Sequence, residues 1–446
     1  MRSNPLLVIS LLSIAALVGH LAFALAQSTY SFPDDLTYVS SVVNLLEGKA
    51  CAPQANNVCN YEHPPLAKLL IAIGSEVFGG PQAAGQQTVV GISQFGGRLF
   101  QVVMSSASAP MLFLLVRRLS GNGRMAFVAA VFLLVDPLYT ALSTTLLLDN
   151  AMLFFALAAM LLHAYRAEFG KGGLLLLTGA FLGLSLLSKE TAVFVIGAFV
   201  SYLLVIRDGG WRRTAVEGGA ILLSCVVVFI LGLEVFDLVF TRFPSFISHL
   251  QVIIQFQLGA GRSQLEFLTQ TAHCAIPKAY CPYSRSLLPY LLNSRLPPWP
   301  ISSEVCQQCW AATNPLDWLT YVPPVVFPTD IILAVNYPLV WLSFAWVPIA
   351  IVQISRLRVA REGRVLILAL LIFLWNIASN IWIFEGLGRA VFEWYFLPAV
   401  PGLAMGGAYL VTRPRSPKWL AYAIIASVIS VAALLSPLSF QILFHG

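Results

Sequence analysis

The sequence predicts an all-α polytopic membrane protein, and three observations predict it. Hydrophobic residues make up 58% of the 446 and charged residues only 10%, against roughly 25% charged in an average soluble chain. The apolar residues fall in runs close to the ~20 that a bilayer core requires. The basic residues gather in alternate connections between those runs, which is the positive-inside pattern of a multi-span chain. The net charge of +6 is therefore an orientation signal, and no nucleic-acid partner is expected.

About eleven spans are predicted by length and hydropathy, near residues 5–26, 92–116, 125–142, 146–165, 173–188, 190–206, 215–239, 331–353, 365–384, 392–412 and 419–443. The first ends in "AFALAQS", which resembles a signal-peptidase site after Ala26. Its apolar core is longer than a signal peptide's, so it reads as a retained helix. With the N-terminus in the cytoplasm, 16 of the 26 Lys and Arg residues, from Arg2 to Lys418, lie on short cytoplasmic connections. The expected organisation is an N-terminal transmembrane module (1–240) with a first outer loop (27–91), a large extracytoplasmic loop (241–330) and C-terminal transmembrane helices (331–446).

Six of the seven cysteines lie in the two outer segments: Cys51, Cys59, Cys274, Cys281, Cys306 and Cys309. An even set on one face suggests disulfides in an oxidising compartment, with Cys51–Cys59 closing a short turn. The rival is a four-cysteine zinc site from "HCAIPKAYC" and "CQQC", but the first spacing is wide for a zinc knuckle. No metal site is expected.

The chemistry concentrates in the first outer segment. In "PDDLTYVSSVVNLLEG", Leu36, Val39, Val43 and Leu46 form one stripe and Ser40, Asn44 and Glu47 the opposite one, the pattern of an interfacial amphipathic helix. Asp34 or Asp35 caps its start. One cap uses one carboxylate, and a second acid at membrane level marks a working site. In "NYEHPPLAKLLIAIG", Pro64 and Pro65 suit the first turn of a short helix, with Glu62 and His63 at its mouth and Lys68 one turn inside. His63 also reads as a structural hydrogen-bonder and Lys68 as a snorkelling side chain. Asp149 and Glu190, with the cations Arg98, Lys189 and Arg389, sit at outer helix ends. There they either line a cavity that opens outward or pair with one another and with Glu393.

These stretches resemble the protein O-mannosyltransferases. "PDDLTYV" followed by "HPPLAKLLIAIG" is similar to that family's first outer loop, in which an Asp-Glu pair opens the loop and a His-Pro-Pro-Leu-x-Lys segment closes it. "LSTTLLLDNAMLFF", "NPLDWLTYVPPVVF", "GRLFQ" and "LSKETAVFV" follow in the family's order. The resemblance implies a GT-C fold, a polyprenyl-phosphate sugar donor and an active site on the outer face. It puts Asp34 at the catalytic position and Asp35 at the family's Glu position. His63, Lys68, Arg98, Lys189 and Arg389 then face the donor phosphate, supported by Glu62 and Asp149. Three departures stand out. Asp35 is a methylene shorter than Glu, Thr144 replaces the usual Arg, and the large loop lacks the β-trefoil insert of eukaryotic members. These point to a prokaryotic-type protein.

The implied reaction is inverting transfer of a sugar, mannose first, to a Ser or Thr hydroxyl of a protein. It requires no cofactor and leaves room for a divalent cation at the phosphate. The expected partners are the lipid-linked donor, a protein or lipid acceptor and the surrounding membrane lipids. The alternatives are transfer of another sugar to a lipid or glycan, and a transporter or flippase. No nucleotide fingerprint or Walker loop is present, which fits a lipid-linked donor. No inverted repeat supports a transporter.

Overall fold

The computed structural model describes residues 4–26, 33–46, 61, 63–78, 81–82, 91–92, 94–168, 171–240, 243–255, 319, 325–326, 332–333, 336–383, 387, 393–413 and 416–435. The six outer cysteines, Glu62 and Arg389 lie outside the described residues, and so do the side chains of Asp34 and Asp35. The helices are α1 (Pro5–Ala26), α2 (Pro33–Leu46), α3 (Leu66–Phe78), α4 (Gln94–Ser120), α5 (Gly123–Leu134), α6 (Pro137–Leu142), α7 (Asp149–Tyr165), α8 (Lys171–Ser188), α9 (Ala192–Ile206) and α10 (Trp211–Phe240). They continue with α11 (Phe246–Gln255), then α12 (Tyr337–Val352), α13 (Ile354–Leu357), α14 (Arg361–Ile381), a 3₁₀ segment (Glu393–Ala399), α15 (Val400–Thr412) and α16 (Lys418–Leu435). Two antiparallel ladders of two-residue strands complete the described elements.

The all-α prediction holds; the count of eleven spans is not reproduced. Among the described residues five helices are long and apolar enough to cross a bilayer alone, and the other apolar helices offer shorter apolar stretches of 10–17 residues. The clearest difference is the predicted span 125–142, which is two helices. Pro137 has no N–H to extend α5, and Asp136 Oδ1 instead accepts from the Tyr139 N–H at 3.0 Å, capping a new helix. The chain then runs through 143–148 without helix but fully buried. Thr145 and Thr144 donate their hydroxyls to the Leu142 and Ala141 carbonyls, and Asn150 Nδ2 donates to the Leu142 carbonyl. Irregular backbone at this depth persists only where protein groups satisfy it.

α1 and α10 turn broad apolar faces outward, with Leu6 70% and Leu238 75% exposed, as lipid-facing helices do. The other helices pack by small residues. Gly179 and Gly183 of α8 let α10 approach so closely that a Cβ at Gly183 would stand 2.7 Å from the Cys225 carbonyl oxygen. This is the small-xxx-small contact of membrane helices. A second such contact sets α3 on α4, where a Cβ at Gly96 would lie 2.6 Å from the Gly74 carbonyl oxygen.

A small second core of Leu45, Tyr61, Phe236 and Phe243 joins the segment between α1 and α4 to α10. At about 1.5 Å per residue α10 is about 45 Å long, beyond a ~30 Å hydrocarbon layer, so its end can carry a polar clasp. There His249 Nδ1 lies 2.7 Å from Asp237 Oδ1, and its Nε2 lies 3.1 Å from the Tyr61 carbonyl oxygen. Phe243 stacks on the imidazole at 4.7 Å. Burial, then the Asp237 carboxylate, push the Tyr61 hydroxyl up to about 12, so it stays neutral. The clasp fixes the chain two residues before His63.

The α3–α4 crossing yields a test whose sign is set by magnitudes. Ala has a higher helix propensity than Gly by about 1 kcal/mol, but overpacking a close contact costs about 1–3 kcal/mol. Here the obstacle is backbone, so the clash wins. Gly96→Ala is expected to lower the unfolding temperature in detergent. Gly19→Ala on α1, with nothing within 4 Å of the added Cβ, is expected to leave it unchanged or raise it. Equal effects would show that the crossing is not tightly packed.

Candidate active site

Four elements converge where α7 begins and α8 ends. Helix α8 ends at Ser188, and Lys189 and Glu190 occupy the turn before α9. Lys189 Nζ donates to Asp149 Oδ2 at 2.6 Å, and each side chain is 2% exposed. Asp149 opens α7, where a carboxylate is favoured by the helix dipole. The Lys189 ammonium also sits 4.6 Å from the Tyr395 ring centre, within cation–π range. Burial opposes the charge on Lys189, yet Asp149, Tyr395 and Glu190 outweigh it and raise its pKa above the ordinary lysine value.

The first outer segment docks on this pair. His63 Nδ1 lies 2.9 Å from Glu190 Oε2, so adjacent residues of one turn hold α7 and the first outer segment. The Tyr38 ring of α2 meets His63 edge-on at 6.0 Å between centres. Lys68 Nζ donates to the His63 carbonyl at 2.8 Å and is 1% exposed. The snorkelling reading of Lys68 is therefore overturned: the lysine points inward and closes the turn that precedes α3. Arg98, at the start of α4, is also buried, at 1% exposed.

The paired reading of Lys189 with Asp149 is the one observed, and Glu190 takes His63. Asp34 and Asp35 stand in the first turn of α2, which begins at Pro33. Sequence reasoning missed Tyr395 as a partner of Lys189. Its backbone carbonyl accepts from Asn376 Nδ2 at 3.1 Å and Asn380 Nδ2 at 3.4 Å, so two buried amides of α14 fix the aromatic. The available signal was the aromatic run "FEWYF" beside two asparagines four residues apart. Among the described residues no three His, Cys, Asp or Glu side chains converge as metal ligands.

This architecture is a known one. The chain is similar to the Saccharomyces cerevisiae protein O-mannosyltransferase Pmt1-Pmt2 complex bound to the sugar donor, with a TM-score of 0.65 at 13% identity, covering 99% of this chain and 91% of that one. It is also similar to ArnT from Cupriavidus metallidurans bound to undecaprenyl phosphate, with a TM-score of 0.56 at 17% identity, covering 96% and 64%. These likenesses show that the chain has the GT-C fold. A polyprenol-phosphate-mannose–protein mannosyltransferase of Mycobacterium tuberculosis is 29% identical over 127 residues, 26% of this chain and 22% of that protein's length. Residues 55–247 match the model of the family described as dolichyl-phosphate-mannose-protein mannosyltransferase.

Breaking a buried ion pair costs about 3–5 kcal/mol, whereas replacing both members with apolar residues is often neutral. Lys189→Met is therefore expected to destabilise strongly. Lys189→Met combined with Asp149→Leu is expected to recover much of the loss, measured by thermal unfolding in detergent. Additive losses would show that the two side chains are not coupled.

Proposed function

We propose that the protein is an inverting glycosyltransferase that moves mannose from a polyprenyl-phosphate donor to a Ser or Thr hydroxyl of a protein at the extracytoplasmic face. The observation that carries this reading is the docking of the first outer segment, through His63 and Glu190, onto the buried Lys189–Asp149 pair. In this reading the docking brings α2, with its two acids, toward the buried cations Lys68 and Lys189. The matching family and the sequence relatives are described as polyprenol- or dolichyl-phosphate-mannose–protein mannosyltransferases, which supports the donor class.

In the proposed step Asp34 takes the proton of the acceptor hydroxyl as its oxygen bonds to the anomeric carbon. The bond from that carbon to the phosphate oxygen breaks, and the lipid phosphate leaves with the electron pair. A single displacement inverts the centre. Asp35 positions the acceptor. The phosphate gains negative charge as it leaves, so cations placed there act on the transition state more than on the ground state. In this reading Lys68, Arg98, Lys189 and Arg389 fill that role, with His63 as a further donor-binding residue and Glu62 in support.

The test is incubation of purified protein with radiolabelled polyprenyl-phosphate mannose and a Ser/Thr-containing peptide. Label on the peptide supports the reading. Label on lipid or glycan moves the acceptor to the alternative transferase, and passage across a vesicle without bond cleavage supports a flippase. Loss of a general base costs about 10²–10⁴-fold in rate. Asp34→Asn should therefore lose turnover by that order while still binding donor, and Asp35→Asn should lose less. Near wild-type turnover in Asp34→Asn would transfer the base role to Asp35 or Glu62.

The proposed reaction needs no cofactor. Turnover is expected to survive exhaustive chelation. A loss restored by Mg²⁺ or Mn²⁺ would instead put a divalent cation at the donor phosphate.

A further inference from the structure

The opposite ends of the same helices hold a second polar site. Helix α7 has 17 residues and is about 25 Å long at 1.5 Å per residue. Asp149 stands at one end and Arg166 just past the other. Around Arg166 the ends of α4, α7 and α9 meet the starts of α10 and α14 and enclose a cavity of about 580 Å³, within the ~300–1,000 Å³ range of ligand pockets.

Its lining is arginine-rich and undercompensated. Arg118, Arg166, Arg213, Arg361 and Arg364 face only two lining carboxylates, Asp208 and Glu217. Each carboxylate is shared. Asp208 accepts two bonds from Arg364 at 3.0 and 3.1 Å and lies 3.6 Å from Arg166. Glu217 lies 2.6 Å from Arg213 and 3.3 Å from Arg166. Glu168, outside the lining, pairs with Arg118 at 2.6 Å. Arg361 has no ion pair among the described residues.

A second, independent feature points to a ligand. His163 lines the cavity and is 5% exposed, yet its Nε2 has no hydrogen-bond partner. Arg364 Nε is likewise buried without a hydrogen bond. Unpaired polar atoms in such a place are costly. Positive-inside charge alone accounts for arginines on a surface but not for their convergence, with a buried imidazole, around one cavity. Guanidinium forks match phosphate oxygens bidentately.

The geometry points to a binding site for a phosphate-bearing anion between the ends of α7, α9, α10 and α14, separate from the acid site. Either a soluble phosphorylated compound or the headgroup of an anionic lipid supplies that chemistry. The proposal is independent of the sugar-transfer reading.

The test uses the full chain in nanodiscs and two probes. Inorganic pyrophosphate is titrated by calorimetry in phosphatidylcholine discs. Retention of phosphatidylglycerol is followed by native mass spectrometry from mixed discs. Arg361 and Arg213 are exposed, so Arg361→Gln and Arg213→Gln should fold normally, checked by monodispersity and unfolding temperature. Removing one charge-assisted contact should weaken binding about tenfold. Saturable pyrophosphate binding weakened in both variants assigns a soluble phosphate. Phosphatidylglycerol retained by the parent and lost by both variants assigns a headgroup. Absence of saturable binding for either probe, or binding unchanged in both variants, overturns the site.

Discussion

Lys189 and Asp149 sit 2.6 Å apart with 2% of either side chain exposed, and the candidate site is organised around them. Neither charge is tolerable there alone, since the penalty for an isolated ion in a low-dielectric interior amounts to several kcal/mol. The lysine must therefore find the aspartate, which fixes the end of α8 against the start of α7. Tyr395 is drawn over the ammonium, which brings in the 3₁₀ segment before α15. Glu190, next in sequence, faces the other way and holds His63. One two-residue turn thus ties together elements from the first and last thirds of the chain.

The first outer segment needs that anchor because α2 and α3 are too short to hold themselves in place. A 14-residue and a 13-residue helix are marginal in isolation, and their stability comes from packing. Three fasteners supply it. The Gly74–Gly96 crossing seats α3 on α4, the His63–Glu190 contact seats its N-terminal turn, and the Asp237–His249–Tyr61 clasp holds the chain just before it. All three lie on the segment that follows α2. The acids of α2 are therefore carried on a helix whose downstream neighbour is fixed at three points, the arrangement a positioned base requires.

Much of this was legible in the sequence because hydropathy and charge dominate membrane chains. The helices at 5–26, 94–120, 211–240 and 361–381 follow directly from apolar length. The clustering of "HPPLAK" with Lys189 and Asp149 on one face followed from alternation of the spans. What was not legible depended on tertiary partners. Lys68 inside an apolar helix reads equally as snorkelling or buried, and only the His63 carbonyl beneath it decides. The break at Asp136–Pro137 was signalled by the proline. It was outvoted by continuous hydropathy from 125 to 142, because protein contacts rather than lipid satisfy the loop that follows. His249 was invisible as a clasp because its two partners, Asp237 and Tyr61, are 12 and 188 residues away.

The two ends of α7 solve the problem of charge in a membrane in opposite ways. At the Asp149 end the charges are paired within hydrogen-bonding distance and sealed, so what approaches must compete with existing partners and is admitted only with matching geometry. At the Arg166 end three of five lining guanidiniums share two carboxylates around a partly open cavity, so in the proposed site an incoming anion relieves repulsion instead of displacing a partner. About 25 Å of helix separates the ends, several times the distance over which substitutions normally couple. Energetic effects at one end are then read without contamination from the other. The helix that fixes Asp149 for one site also fixes Arg166 for the other, so only a displacement of α7 as a rigid body would connect them.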